Sequence, residues 1–519
     1  MEAVSEQILV KIGERARMLR EDILNAKSIY PENRTTYFVD SFSGDDENNG
    51  LNADTPWRSL ERVSESDLKR GDVVLFKRGC TFRGFLRVRA GVTYSAYGEG
   101  EKPKLYGSIN AADPQMWIPT KWKNIWLYKN LISYVRDVGS IIFNEGECWG
   151  IKVCKNHKRG ERCDMGNNSN CDVFNGRRWV HRERGVLKGP QDLKSDLEFY
   201  HDFDYMRSSE YLYLYCADGN PGKVFDSIEI TVRHALINVE GVAEDITIDN
   251  LCLKYAGTCA LGFPSSKNLT VRNCEIGFIG GSGMNIESQT NPYGPEGAFT
   301  GDLTRMGNAI EIYGTCDGYV VENNYIYQIY DTGITVQVHF DDLNENKYFK
   351  NVLWQSNLID TCHWSFEVWL STPPIPDGIE CAIENFEIKD NICTNTGCGW
   401  GETRPDTEDH FMYMGYINSA YCKFVDYNVH RNLFVNNMCS VAKGINFGNK
   451  GIRFYDNEIY TNAALGSYPP NFEFGHREFV FYEATDENLQ KIVESGCWGE
   501  NVFKKFNTAE NTAKQYFKI

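Results

Sequence analysis

A short β-rich pattern that returns between residues 245 and 460 restricts the fold of this chain more than any other feature. Each copy has a β-rich run, an Asn, a second apolar run, and then Gly and a turn. The copies read ITIDNLCL, LTVRNCEI, YVVENNYIY, VLWQSNLI, FEIKDNIC, NVHRNLFV and IRFYDNEIY, and they place at comparable points Asn250, Asn273, Asn323, Asn357, Asn391, Asn432 and Asn457. Apolar residues alternate with a period of two, which excludes a helical repeat. The pattern therefore predicts stacked parallel strands with a ladder of Asn side chains at a repeated bend.

The size and charge of the chain agree with an elongated repeat protein and exclude several partners. At 519 residues, the chain exceeds the length at which a single globular core stops growing. Its 71 acidic and 54 basic side chains give a net charge of −17, which would repel nucleic acid and anionic membranes. No uninterrupted apolar run approaches the length of a membrane span.

The first 35 residues predict an amphipathic helix. Its apolar positions recur at helical spacing and comprise Ile8, Leu9, Ile12, Leu19, Ile23 and Leu24. Such a helix packs on the body of the protein or on a second subunit, so a homo-oligomer is possible through this segment. The segment lacks the apolar region and the cleavage site of a secretory signal. We therefore expect a cytoplasmic protein whose 17 cysteines are reduced.

The sequence predicts neither a metal nor a cofactor. The densest cysteine cluster, which comprises Cys148, Cys154, Cys163 and Cys171 with His157 between them, lacks the paired CxxC spacing of zinc sites. The Asp/Asn/Gly-rich segment 44–50 suits tight turns better than a calcium site. No nucleotide-binding loop, HExxH motif or catalytic Ser/His pattern is found.

Two segments near the N-terminus resemble the opening of carbohydrate-active proteins with the right-handed parallel β-helix, or pectate-lyase-like, fold. They are YFVDSFSGDDENNGLNADTPWRSLERV (37–63) and GDVVLFKRGCTFRGFL (71–86). The segment NAIEIYGTCDGYVVENNYIYQIYDTGIT (308–335) is similar to the central coils of bacterial β-helix glycosidases and lyases. The resemblance implies an all-β solenoid and an enzyme acting on carbohydrate. Because this fold carries hydrolases, lyases and epimerases, it does not decide the chemistry.

These observations divide the chain into five parts. We expect an N-terminal helix (1–35), a cap with the first coils (36–110) and an inserted β-rich module (111–232). The main parallel β-helix with its active-site loops follows (233–470), and a C-terminal cap with a short helix at DENLQKIVESG ends the chain (471–519). Capping is expected because an open parallel coil exposes a sheet edge.

Alternation of side chains across three coils predicts the catalytic face. Aligning Ile310, Ile334 and Phe366 inside the stack places Glu311, Thr335 and Glu367 in one outward column. Tyr313, Gln337 and Trp369 form the neighbouring column. Carboxylates beside aromatic rings on an exposed sheet face are typical of a sugar-binding cleft.

The predicted catalytic residues are Glu311, Asp331 and Glu367. Retaining glycosidases separate their carboxyl groups by about 5–5.5 Å, and inverting enzymes by about 6.5–9.5 Å. Glu311 and Glu367 lie two coils apart, or about 9.6 Å, and Asp331 lies on the coil between them. The three carboxylates thus permit either stereochemistry.

Further candidates for substrate binding lie on the same side of the coils. They are Asp302, Arg305, His339, His363 and Trp364. Three loops that would enclose the groove as a pocket span 288–307, 371–380 and 401–411. An enclosed pocket favours exo-action on short oligosaccharides.

The residues favour a glycoside hydrolase acting on oligosaccharides, because neighbouring carboxylates keep one of the pair protonated. A polysaccharide lyase or uronate epimerase is an alternative, in which Arg305 or His339 would supply the base or neutralise a substrate carboxylate. A non-catalytic carbohydrate-binding β-helix protein is the second alternative. The sequence leaves the sugar and the linkage open.

Overall fold

A computed structural model describes most of the chain. The described residues are 4–132, 137–152, 171–172, 180–181, 189–194, 196–204, 209–283, 305–339, 343–371, 374–397, 399–400, 413–414, 417–418, 422–436, 442–445, 451–462, 471–474, 480–483 and 499–506. This part of the chain is mostly β-structure and contains large parallel sheets. The predicted short helix at 486–496 lies outside it.

Few helices occur in the described part of the chain. The α-helices are α1 (Glu6–Leu24), α2 (Leu60–Glu65) and α3 (Pro221–Val224), and short 3-10 turns lie at Pro114–Met116, Asn144–Gly146 and Pro190–Asp192. The strands before residue 107 are β1 (Thr36–Val39), β2 (Val73–Lys77), β3 (Thr81–Arg83), β4 (Leu86–Val88), β5 (Thr93–Tyr97) and β6 (Lys104–Tyr106).

Strands β7 to β17 belong to the segment 108–232. They are β7 (Ser108–Asn110), β8 (Trp117–Pro119), β9 (Ile125–Tyr128), β10 (Val138–Phe143), β11 (Cys148–Trp149), β12 (Ile151–Lys152), β13 (Cys171–Asp172), β14 (Val180–His181), β15 (Glu198–Asp204), β16 (Ser209–Tyr215) and β17 (Ile228–Val232). Nearly all their pairings are antiparallel, and only β12 and β15 run parallel. These strands form a four-stranded and a five-stranded sheet, and β13 pairs with β14.

The remaining strands repeat in short coils. They are β18 (Ile237–Val239), β19 (Val242–Glu244), β20 (Thr247–Asp249), β21 (Cys252–Lys254), β22 (Leu261–Phe263), β23 (Ser265–Arg272), β24 (Glu275–Ile279), β25 (Ser282–Gly283), β26 (Arg305–Met306), β27 (Ile310–Ile312), β28 (Cys316–Glu322), β29 (Tyr325–Ile329), β30 (Thr332–His339), β31 (Lys347–Gln355), β32 (Leu358–Asp360), β33 (Trp364–Ser371), β34 (Cys381–Lys389), β35 (Ile392–Thr394), β36 (Tyr413–Met414), β37 (Ile417–Asn418), β38 (Lys423–His430), β39 (Leu433–Val435), β40 (Ala442–Ile445), β41 (Ile452–Tyr455), β42 (Glu458–Asn462), β43 (Asn471–Phe474), β44 (Val480–Glu483) and β45 (Val502–Phe506).

Three long sheets organise these coils. The first sheet has the order β1-β2-β5-β20-β23-β28-β31-β34-β38-β41, the second β4-β18-β22-β27-β30-β33-β36-β40-β43-β44, and the third β3-β6-β21-β24-β29-β32-β35-β39-β42-β45. From β27 to β42 the chain visits the second, first and third sheets in turn. Neighbouring strands along these paths are parallel except β43 and β44. Each coil thus adds one strand to each sheet, as the repeat predicts.

The inward side chains of the three sheets form one hydrophobic core. Ile310, Ile334 and Phe366 are fully buried in it, and so are Val336 and Val368. Removing a buried Phe side chain typically costs about 3–5 kcal/mol, so each coil contributes strongly to stability. The side chains on the opposite faces of these strands point away from this core and can form a binding or catalytic site.

An Asn ladder is present and contains four of the seven predicted asparagines, whereas Asn250, Asn273 and Asn323 lie outside it. The amide nitrogen of each ladder residue donates to the amide oxygen of the next, over 2.9–3.0 Å, through Asn324, Asn357, Asn391, Asn432, Asn457 and Asn501. Asn323 instead occupies the bend just before the ladder, at a φ of 54°.

Asn250 and Asn273 occupy the same bend position as Asn323, with φ values of 59° and 55°. Asn is one of the few residues that tolerates this left-handed conformation, which explains its presence there. The sequence pattern therefore combined two columns of asparagine, one at the bend and one inside the stack.

Helix α1 packs on the outside of the third sheet. Its buried residues Leu9, Ile12 and Ala16 contact a cluster that includes Leu358 and Leu433. The apolar face of the helix is therefore covered by its own chain. This agrees with the interpretation of a helix on the body of the protein, and oligomerisation stays a prediction.

Asp360 lies buried at the end of β32. Its carboxylate accepts hydrogen bonds from Thr394 Oγ1 at 2.6 Å, Asn395 Nδ2 at 2.7 Å and Thr361 Oγ1 at 3.2 Å. Burial raises the pKa of Asp360 to about 6, although these hydrogen bonds and the charge of Arg20 oppose the rise. The folded protein therefore binds this proton more tightly than the unfolded chain, in which the pKa is about 3.9.

We expect the stability that this proton provides to be complete below pH 4 and lost as the pH rises through about 6. The loss amounts to about 2–3 kcal/mol. Asp360→Asn should remove this dependence, since the amide stays neutral. Urea unfolding between pH 4.5 and 7.5 measures this pH dependence. Asp317→Asn is the control, because the Asp317 carboxylate is partly exposed on the first sheet. Parallel pH profiles for Asp360→Asn and the natural chain would contradict the assignment.

The segment 108–232 packs beside the turn between the third and second sheets. Ser282 Oγ donates to the backbone oxygen of Asp137 over 2.9 Å. Ile142 of β10 shares a hydrophobic cluster with Tyr330 and Trp400. This segment therefore lies next to the turn that leads into Asp331. Its treatment as an inserted module stays a prediction.

The loop at 44–50 is held by a turn of its own and by hydrogen bonds to residues 58–59. Asp46 Oδ1 accepts the backbone N–H groups of Arg58 and Ser59 at 2.8 and 3.0 Å. Asp45 Oδ1 accepts the N–H of Glu47 at 3.1 Å. These contacts agree with a turn-rich cap.

No described helix is long and apolar enough to cross a membrane. Within the described ranges, no three His, Cys, Asp or Glu side chains come together as metal ligands. Of the cysteine cluster considered above, Cys154, Cys163 and His157 lie outside those ranges.

Candidate active site

The register of the second sheet matches the predicted alignment. Ile310 pairs with Ile334, which pairs with Phe366. Glu311 consequently pairs with Thr335, and Thr335 with Glu367. The predicted outward column on β27, β30 and β33 is confirmed as a set of neighbours.

The column is buried, whereas the sequence predicted an exposed face. Glu311 is 1% exposed, Thr335 is fully buried and Glu367 is 3% exposed. Alternation along a strand determines which sheet face a side chain occupies, but it carries no information on what packs against that face. The carboxylates therefore lie in a low-dielectric setting rather than on an open surface.

Glu311 has one engaged and one unpaired carboxyl oxygen. The thiol of Cys259 donates to Glu311 Oε2 over 3.0 Å. Glu311 Oε1 is buried without a hydrogen-bond partner. An unpaired buried oxygen is costly for an ionised carboxylate and is better tolerated in a neutral carboxyl group.

Burial is the main cause that raises the pKa of Glu311, and the negative charge of Asp331 acts in the same direction. Contacts with Cys259, Asn308 and Tyr313 oppose this rise in pKa. Both effects of the environment favour a proton on Glu311 at a higher pH than for an exposed glutamate.

Asp331 and Glu367 are linked through a threonine hydroxyl. Thr332 Oγ1 lies 3.5 Å from Asp331 Oδ1 and 3.4 Å from Glu367 Oε2, so these carboxylate oxygens are within about 7 Å of each other. Thr335 Oγ1 donates to the same Glu367 oxygen at 3.0 Å. Hydroxyl donors stabilise the ionised form of a carboxylate. Glu367 thus has two threonine hydroxyls as hydrogen-bond partners, whereas Glu311 Oε2 accepts from a thiol.

The backbone fixes Asp331 and Thr332 in place. The N–H of Asp331 donates to the oxygen of Gly307 at 3.1 Å, and the oxygen of Asp331 accepts from the N–H of Trp364 at 3.0 Å. Asn308 Oδ1 accepts the N–H of Thr332 at 2.9 Å. Asn308 thus contacts both the Glu311 strand and the turn that carries Asp331.

Tyr313 is the exposed aromatic residue of this face. It retains 42% of its surface, and its hydroxyl lies 3.4 Å from the Sγ of Cys259. A β-carbon at Gly262 would lie 3.6 Å from the ring, so the ring lies beside this glycine. Burial of the hydroxyl end raises the pKa of Tyr313, and the phenol stays neutral. The ring can therefore contact a ligand while its hydroxyl points toward Glu311 and Cys259.

Four of the other predicted binding residues lie on or next to the strands β30 and β33. Gln337 and Trp369 are half-buried neighbours on β30 and β33. His363 and Trp364 are buried, at 1% and 5% exposure, with ring centroids 5.0 Å apart. Their contact with substrate stays a prediction, since Glu311 and Glu367 are buried to a similar degree.

For the remaining predicted residues, the structure describes either the strand pairing alone or no part of the residue. Arg305 pairs with Gly283 between the antiparallel strands β25 and β26, and His339 pairs with Ser371. Asp302, residues 288–304 and the whole loop 401–411 lie outside the described residues.

Three residues around the carboxylates were missed by sequence reasoning: Cys259, Asn308 and Thr332. The segment LGF of β22 pairs with IEI of β27 and places Gly262 opposite Glu311, whereas Cys259 lies three residues earlier, before the strand begins. Asn308 and Thr332 lie at strand ends, where alternation does not predict the direction of a side chain.

We expect Cys259→Ala to raise the pKa of Glu311, and the alkaline limb of any activity that needs the Glu311 proton should then move to higher pH. The thiol stabilises the ionised form of Glu311, so its removal raises the pKa of Glu311 further. The maximal kcat should stay within about threefold, since the thiol itself transfers no proton. A profile of kcat/KM against pH measures the limb, and Cys259→Ser, which keeps a donor, should stay near the natural chain. A limb that moves to lower pH would contradict this role.

Comparison with known proteins gives similarities that are short or weak. No protein-family profile matches the chain. A lacto-N-biosidase of Bifidobacterium longum subsp. longum is 35% identical over 106 residues, which are 18% of this chain and 7% of that protein. The chain therefore matches less than a tenth of the length of this curated relative.

Two solved structures are also similar to the chain. The complex of XylC with xylose has a TM-score of 0.42 and 15% identity, covering 86% of this chain and 73% of that one. The native GH136 lacto-N-biosidase from Eubacterium ramulus has a TM-score of 0.33 and 14% identity, covering 91% of this chain and 68% of that one.

Proposed function

We propose that this chain is a glycoside hydrolase that acts on oligosaccharides from a chain end. The observation that carries the proposal is the buried Glu311, whose environment favours a proton, beside the hydroxyl-bonded carboxylates Asp331 and Glu367. Glycoside hydrolysis requires one protonated and one ionised carboxyl group. The short similarity to a lacto-N-biosidase supports the same class.

The proposal includes a right-handed parallel β-helix. It is supported by the rotation of the chain through three parallel sheets and by the Asn ladder that joins successive coils. In such a fold the outward residues of one sheet form a continuous column. The column through Glu311, Thr335 and Glu367 is then the floor of the active site.

In this mechanism Glu311 is the general acid. It donates its proton to the glycosidic oxygen as the bond from that oxygen to the anomeric carbon breaks. Its raised pKa keeps the proton available to a higher pH than in an exposed glutamate, and the unpaired Oε1 is free to face the leaving oxygen.

Asp331 and Glu367 provide the ionised partner. Glu367 lies two strands from Glu311, or about 9.6 Å along the sheet, which fits a base that takes a proton from an attacking water. Asp331 lies on the intervening coil, where it fits a nucleophile on the anomeric carbon. Proton NMR of the first product decides between them, because inversion assigns Glu367 and retention assigns Asp331.

Recognition of the sugar is assigned to Tyr313, with Gln337 and Trp369 beside it. The exposed ring of Tyr313 can stack on the C–H face of a pyranose while its hydroxyl stays held by Cys259. The burial of Glu311 and Glu367 fits a closed pocket, which favours removal of units from a chain end.

The test is mass spectrometry of products from a panel of neutral and acidic oligosaccharides. Hydrolysis gives products whose summed mass exceeds the substrate by one water. Products that sum to the substrate mass and absorb ultraviolet light would instead establish a lyase. Binding without any product would favour a carbohydrate-binding protein.

A further inference from the structure

Two cysteines on neighbouring coils bring their sulfur atoms unusually close. Cys381 begins β34, and Cys422 directly precedes β38. Ala382 pairs with Lys423 in the parallel ladder, so the two cysteines occupy adjacent positions on these strands. Their Sγ atoms lie 2.7 Å apart. Carbon atoms already touch at about 3.5–4.0 Å and sulfur is larger, so this separation is below van der Waals contact.

We propose that Cys381 and Cys422 form an intrachain disulfide between successive coils of the first sheet. Adjacent parallel strands lie about 4.8 Å apart, within the range of about 4.4–6.8 Å that a disulfide requires between its α-carbons. Both side chains are buried, at 1% and 6% exposure, and point at each other. This inference does not rest on the proposed function.

The surroundings favour thiolate formation at Cys381. The hydrogen bond from Cys422 is the main cause that lowers the pKa of Cys381, and the positive charge of Lys347 on the neighbouring strand acts in the same direction. Burial opposes this fall in pKa. Cys381 is therefore the attacking thiol of the pair.

The oxidant is a small-molecule disulfide such as glutathione disulfide. The Cys381 thiolate attacks one of its sulfurs, forms a mixed disulfide and releases one thiolate. Cys422 then loses its proton and attacks Cys381 Sγ, which forms the protein disulfide and releases the second thiolate. The protein loses two electrons and two protons, and the small disulfide is reduced to two thiols. Because both sulfurs are buried, the exchange occurs while this coil is open or before it has closed.

The disulfide would close the coil that carries β36. Tyr413 and Met414 of β36 lie between the two cysteines in sequence, and they pair with Phe366 and Glu367. A link between residues 381 and 422 limits the freedom of this coil in the unfolded chain. The disulfide would thus fix both ends of the coil that carries β36, the strand beside Glu367, at the first sheet.

Thiol counting by intact mass tests the proposal. The full chain is incubated with glutathione disulfide, either folded or during refolding from urea, and the free thiols are then alkylated under denaturing conditions. All 17 cysteines are labelled in the reduced chain, and we expect two fewer labels after oxidation. Peptide mapping should place the link between Cys381 and Cys422, and the unfolding midpoint should rise by about 2–5 °C.

Cys381→Ser and Cys422→Ser should each abolish the loss of two labels. Cys316→Ser is the matched control, because Cys316 is equally buried in the first sheet but pairs with Ser266 and Phe349. A natural chain that keeps every label in both incubations would overturn the proposal, and so would a link between other cysteines. Since mapping uses the natural chain, the result does not depend on how well the variants fold.

Discussion

Glu311→Gln is expected to lower kcat/KM for the oligosaccharide identified by the product assay by about 10²–10⁴-fold, the usual contribution of general acid catalysis. The amide has nearly the shape of the carboxyl group and keeps an oxygen for the Cys259 thiol. It has no acidic proton to transfer to the leaving oxygen. The fold should persist, since the amide carries no charge in a site that is 1% exposed.

The leaving group distinguishes loss of an acid from loss of packing. An aryl glycoside with a nitrophenol leaving group departs without protonation, so Glu311→Gln should retain most of its activity on this substrate. Asp331→Asn or Glu367→Gln should impair both substrates, because their charge acts on the anomeric carbon or on water. The alkaline limb of the pH profile should also disappear in Glu311→Gln, since the titrating group is gone.

Glu322→Gln provides the matched control. Glu322 is a half-buried glutamate of the first sheet that accepts a hydrogen bond from Gln355 Nε2 at 2.8 Å, on the next coil. It undergoes the same chemical change away from the second sheet, and activity should be unaffected. Equal losses of Glu311→Gln on natural and aryl substrates would contradict the role of Glu311 as the acid.

The pairing of Glu311 with Thr335 and Glu367 could be predicted from sequence because strand alternation is a local property. Once Ile310, Ile334 and Phe366 are assigned to the core, the outward residues follow with no further information. The pattern of seven copies also predicted the parallel strands and an amide ladder, with four of its seven asparagines in the ladder. These features depend on residues that are close in sequence within each coil.

The surroundings of the carboxylates could not be predicted in the same way. The contact of Cys259 with Glu311 joins residues 52 positions apart, and its length depends on rotamers at the end of a strand. The burial of the column depends on how distant segments pack over it. Asn323 and Asn324 show a smaller limit, because two adjacent asparagines fit one motif and only the backbone conformation separates them.

Asn391 occupies the middle of the amide ladder, and its replacement by Ala is expected to destabilise the fold by about 3 kcal/mol. Its Oδ1 accepts both the backbone N–H and the side-chain amide of Asn357, at 2.9 and 3.0 Å. Its Nδ2 donates to Trp354 O and to Asn432 Oδ1, both at 2.9 Å. Asn391 is 1% exposed in the natural chain. Alanine leaves the buried N–H of Asn357 without this acceptor and opens a cavity lined by polar groups.

Urea unfolding monitored by circular dichroism measures this loss, and Asn428→Ala is its control. Asn428 is also a buried asparagine of these coils, but its side chain accepts one hydrogen bond, from Arg453 Nε at 3.0 Å. The control should lose about 1 kcal/mol, the usual net value of one hydrogen bond. Because each ladder residue serves the coils before and after it, Asn391→Ala should also broaden the transition as the two halves of the stack separate. Equal losses in the two variants would mean that the ladder adds no stability beyond that of a single hydrogen bond.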